Sequence, residues 1–139
     1  MSTSTLAANP VLDTDHLRTA LRIDGWSTGV FGVVMLAGAA ALRDPLGLPT
    51  AWSIPFGVGM LGGALALLLI AGYPAIARRQ ATAVVAVNAL SAVGMAALAF
   101  SGLIDLTGLG IVFMLIGATV VAGFACLEYA GLRRADRYT

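Results

Sequence analysis

The chain reads as an all-α membrane protein, an antiparallel bundle of four transmembrane helices with a short N-terminal amphipathic segment. Three observations carry that reading. No charged side chain interrupts residues 25–42, 52–77, 80–104 or 106–127, and each run is about as long as the 17 to 25 residues a bilayer-spanning helix needs. The 139 residues are 59% hydrophobic, 11% charged and include 17 glycines, a balance suited to a surface facing acyl chains. All eight basic residues are arginines, and seven of them flank alternate ends of the runs: Arg18 and Arg22, Arg78 and Arg79, then Arg133, Arg134 and Arg137, against Arg43 alone on the other side.

Inside lipid the backbone must bond to itself, so these Gly- and Ala-rich runs are expected as helices, at about 25–42, 52–73, 81–101 and 108–130. Residues 1–12, rich in Ser, Thr, Ala and Asn, read as a disordered tail, and 135–139 as a second one, leaving 13–134 as the membrane domain. From Asp13, Leu17, Ala20, Leu21 and Asp24 recur at i, i+3, i+4 and i+7, which predicts an amphipathic helix leading into the first span with a bend near Gly25. That span begins too late and runs too long for a cleaved signal peptide. The stretch Arg43 to Pro49 is turn chemistry, two prolines to stop a helix and Gly47 to allow positive φ, and Pro55 falls in the first turn of the second span.

The arginine bias places both termini and the middle loop in the cytoplasm, with Arg43–Trp52 and Gly102–Thr107 as outer loops. Trp26, Tyr73 and Tyr129 then fall at the inner interface and Trp52 at the outer one. Net charge is +1, and topology accounts for the arginines without nucleic acid. A faint echo links the halves, Gly38-Ala39-Ala40-Ala41-Leu42 with Gly94-Met95-Ala96-Ala97-Leu98, as a two-span duplication about a pseudo-twofold axis would give.

The inventory of chemistry is short. One cysteine, Cys126, excludes an internal disulfide or CxxC pair and reads as a small packing residue. One histidine, His16, supplies neither paired haem ligands nor a Ser–His or Cys–His arrangement, and there is no phosphate-cradling glycine loop, so no enzyme and no cofactor or metal site is expected. Gly25 with Gly29, and Gly59 with Gly63, are small-xxx-small pairs suited to helix packing within the bundle or between protomers. Asn88 is costly in lipid and must face protein; Ser91 and Met95 share its helix face, and Gly123, Ala66 and Phe31 fall near its depth. With Ser91, Thr119, Asp24 and Glu128 it makes up the candidate polar core. Asp24 and Glu128 are expected near the cytoplasmic boundary as an ion-pair cluster, with Arg22 and Arg79 as partners for Glu128.

Arg22-Ile-Asp24-Gly25, Pro45-Leu-Gly47-Leu48-Pro49, Val87-Asn88-Ala89-Leu90 and Gly131-Leu-Arg133-Arg134 resemble a group of small, uncharacterised four-span bacterial membrane proteins over residues 17–134, and the layout is loosely similar to DoxX-like proteins. Ser91 stands where relatives often have tryptophan after the Asn-x-Leu step. The resemblance implies a bacterial cytoplasmic membrane and supplies no reaction. The expectation is a non-enzymatic accessory or scaffold subunit that contacts membrane lipid and forms a homo-oligomer or joins a larger complex; the alternative is a binder or transporter of a small lipophilic molecule or lipid.

Overall fold

The computed structural model describes residues 3–136, with side chains described over 14–135, and is all-helical. Helix α1 spans Thr3–Ala37, α2 Ala39–Leu46, α3 Thr50–Gly72, α4 Arg78–Ser101 and α5 Gly108–Asp136. α3, α4 and α5 are each long and apolar enough to cross a membrane. The chain turns by 84° at Gly38, and α1 with α2 qualifies as a fourth such element if the bent pair is one span.

α1 differs most from the sequence expectation. It is one helix through Gly25, with no break there and no separate amphipathic segment, and it starts at Thr3 inside the stretch expected as a tail. Extending an existing helix costs far less than nucleating one, so the residues upstream of Asp13 can continue it. Likewise α5 runs to Asp136, into the expected C-terminal tail, whose remaining residues lie outside the described ones. Leu17, Ala20 and Leu21 are buried between helices rather than lying along a membrane surface. The break falls at the other end, at Gly38, so that residues 39–42, expected within the first span, belong to the short α2. Pro45 lies inside α2 instead of stopping it, and the turn is made by Gly47 at φ 67°. α3 likewise starts at Thr50, which moves Pro55 beyond the first turn.

Side by side, the long helices run in the order α3, α1, α5, α4, with extensive packing between each adjacent pair and none of comparable extent between α3 and α4. Two apolar clusters hold the ends together. At one end Leu17 and Leu21 of α1 meet Leu67 and Ala71 of α3, Ala81 of α4 and Leu132 of α5. At the other, Met35, Leu46, Leu48 and Ile104 gather Trp52, Phe56 and Met60 of α3, Leu98 of α4 and Phe113 of α5. The loops at this second end are tied directly: the Thr107 N–H donates to the Leu46 carbonyl at 3.0 Å and its hydroxyl to the Pro45 carbonyl at 2.7 Å.

The arginine-bearing segments converge on the first end. Arg18 donates to the carbonyl oxygens of Ala71 and Tyr73 at 2.5 and 2.6 Å, satisfying groups that the C-terminus of α3 leaves open, and Arg134 lies 3.5 Å from His16. The internal echo has no counterpart in packing. A twofold exchanging the halves would match the α1–α5 contact with an α3–α4 contact, which is the open side, and the break at Gly38 has no equivalent in the continuous α4 at Gly94.

Candidate functional site: a polar cluster beside an open cleft

Between the two apolar clusters the interior turns polar. Asp24 on α1 and Glu128 on α5 are both buried, at 3% and 0% exposure. The Asn88 amide nitrogen on α4 bridges them, donating to Asp24 Oδ2 at 2.8 Å and to Glu128 Oε1 at 2.6 Å. An amide nitrogen has two hydrogens, and both are used. The second Asp24 oxygen accepts from Thr28 Oγ1, one turn along α1, at 2.9 Å. Glu128 Oε2 is buried with no donor. The amide is assigned with its nitrogen toward the two acids, which gives each carboxyl group a donor.

This arrangement corrects the expected ion-pair cluster. Among the described residues neither acid meets an arginine: Arg18 is engaged with the end of α3, and the partner of Glu128 is Asn88 rather than Arg22 or Arg79. Asp24 lies six residues beyond Arg18 on a continuous helix, about 9 Å along its axis, and Glu128 lies a similar distance before Arg134. Of the residues expected at the depth of Asn88, Ala66 and Phe31 line one cleft with it, while its hydrogen-bond partners are Asp24 and Glu128.

Beside the cluster, a cleft of about 970 Å³ fills the gap between α3 and α4, with α1 and α5 as its floor. Trp52 and Ile70 mark its extent on α3, Leu98 and Gln80 on α4, and Asn88, Ser91, Thr28 and Ser27 are its polar points among mostly apolar side chains. Asp24 and Glu128 stand behind this surface and do not line it.

The remaining candidates separate cleanly. Asn88, Ser91 and Met95 share the cleft face, whereas Thr119 is exposed on α5 and donates to the Leu115 carbonyl at 2.8 Å, away from the cluster. Gly25 and Gly29 face α3, where an added Cβ would come within 2.9 Å of Leu68 and 3.4 Å of Ala64. The packing role expected of Gly59 and Gly63 has no counterpart within this chain: nothing lies within 4 Å of a Cβ at either, and both line the cleft. Cys126 is exposed rather than packed. Among the described residues no three His, Cys, Asp or Glu side chains converge as metal ligands. Thr28 was missed in the sequence, although its i+4 spacing from Asp24 signals the contact.

The fold and cluster define an all-helical, multi-pass membrane protein with a buried carboxyl–amide–carboxyl bridge. No protein-family model, curated protein or solved structure matches the chain.

Proposed function

We propose that this protein is a non-enzymatic bacterial inner-membrane protein, an antiparallel bundle of four crossings with both termini cytoplasmic, that holds a small lipophilic molecule in the cleft between α3 and α4. The size and shape of the cleft carry the reading. Trp52 and Ile70 are eighteen residues apart, as are Gln80 and Leu98, so the cleft runs about 27 Å, close to the thickness of the hydrocarbon core. Spread over that length, the space open to the centre of a water-sized sphere has a mean cross-section of roughly 36 Å². A hydrocarbon chain, roughly 4 Å wide by carbon contact distances, fits such a channel.

The scaffold reading places a second protein copy on the same face. Left empty, the cleft's apolar walls lose the dispersion contacts that make burial favourable. Occupancy by a lipophile supplies them.

Native mass spectrometry of the protein released from a mild detergent is expected to find a bound small molecule; an empty monomer, or a second protein chain in its place, contradicts the reading. Orientation rests on the arginine asymmetry. A cysteine at Arg43 in a Cys126→Ala background is expected to react with an impermeant maleimide from the periplasmic side of intact cells, and protection there with labelling only from inside would reverse the topology.

A further inference from the structure

Resting on the lipophile-binding reading, the geometry points to a specific head chemistry: the ligand carries an alcoholic or phenolic O–H that donates to Asn88 Oδ1 near mid-height of the cleft, which distinguishes it from a membrane phospholipid. The argument starts from the amide. Its nitrogen is turned to Asp24 and Glu128, neither of which lines the cleft, so the carbonyl oxygen is the end of Asn88 that the cleft meets. Among the described residues no group donates to that oxygen. Giving both N–H bonds to carboxyl oxygens polarises the amide toward its carbonyl and makes Oδ1 a better acceptor than an isolated amide. In an apolar channel an acceptor of this kind selects a donor, because a ligand without one leaves it unsatisfied.

Depth excludes the ordinary alternative. Asn88 lies eight residues from Gln80 and ten from Leu98, about 12 Å and 15 Å from the two ends of the cleft. A phospholipid keeps its polar groups at the membrane surface and would set only methylenes against Asn88. A molecule with an apolar body and one hydroxyl carried inward matches both features, the long apolar walls and the Asn88 acceptor near mid-height. Ser91, one turn along α4 on the same face, is positioned to accept or donate to the same hydroxyl.

The test is a competition between two probes of one skeleton, with and without the O–H donor. Radiolabelled 4-octylphenol is equilibrated with the purified full-length protein in detergent and displaced by unlabelled 4-octylphenol or by 4-octylanisole, its methyl ether. The phenol is expected to compete about tenfold better, the usual scale of one unsatisfied buried acceptor. Gly63→Leu, which fills the cleft without touching either carboxyl, is expected to remove specific binding of both probes, and Asn88→Leu to bring the two to equal affinity. Equal competition by the two probes on the wild-type protein overturns the proposed head chemistry while leaving the cleft a lipophile site. So does a preference for the phenol that survives in folded Asn88→Leu. Absence of specific probe binding, together with a small molecule missing from the native mass spectrum, sinks the binding reading itself and this inference with it.

Discussion

Two sets of glycines in the same chain do opposite things. Where α1 crosses α3, Gly32 and Gly57 bring the backbones into contact: a Cβ on Gly57 would fall 2.6 Å from Leu36 Cγ and 3.0 Å from the Gly32 carbonyl oxygen, and one on Gly32 would fall 3.1 Å from the Gly57 oxygen. Gly59 and Gly63, on the same α3, and Gly94 on α4 have nothing within 4 Å. In lipid no hydrophobic drive brings helices together, so small residues act by allowing close approach and the dispersion contacts that follow. The same smallness on a face with no neighbour opens a channel. A small-xxx-small spacing therefore identifies a helix face without saying whether that face is closed or open; the side chains opposite decide it.

The largest expected effect comes from filling the closed seam. Gly57→Leu forces a branched side chain against Leu36 and a backbone carbonyl that has no room to move, so folded, monodisperse protein is not recovered from detergent, a loss above about 4 kcal/mol. Recovery of Gly57→Leu with a thermal midpoint near that of the wild type would remove the contrast between the seams.

A smaller effect is expected at the cluster behind the cleft. Asn88→Leu takes the donor from two buried carboxyl groups at once, each left acceptor costing about 1 to 3 kcal/mol, so unfolding in detergent should shift by about 3 kcal/mol. A midpoint unchanged within error would mean that the amide does not hold Asp24 and Glu128 as the geometry has it. An amide packed alone among apolar neighbours would have been replaceable by leucine at little cost, which is the sense in which the cluster, and not the residue, sets the magnitude.

The helices themselves are legible from the uncharged runs, and so is the gathering of Arg18, the 73–79 loop and Arg134 at one end. That Asn88 turns toward protein follows from its cost in lipid. Its partners were hidden by the boundary rule: taking uncharged runs as the spans pushes Asp24 and Glu128 out to the flanks, although a buried acid with donors in reach can lie well inside a helix. The corrective signal was present, since Asp24 falls on the same face as Leu17, Ala20 and Leu21, all of them buried. Read as a surface-lying helix, that face pointed to a membrane interface; read as one continuous span, it points Asp24 into the interior. The open α3–α4 side left no comparable mark, because glycine and alanine look alike on a packed face and on a channel wall.

The measurement that bears most directly on the open cleft is Gly63→Leu, followed at once by thermal unfolding and native mass spectrometry. A leucine there projects into empty space between α3 and α4, so the account predicts a midpoint within about 0.5 kcal/mol of the wild type, as for a substitution away from packed features, together with loss of the bound small molecule. A large fall in stability, or conversion of an oligomer to monomer with the small molecule retained, would contradict it and identify this face as a protein–protein seam.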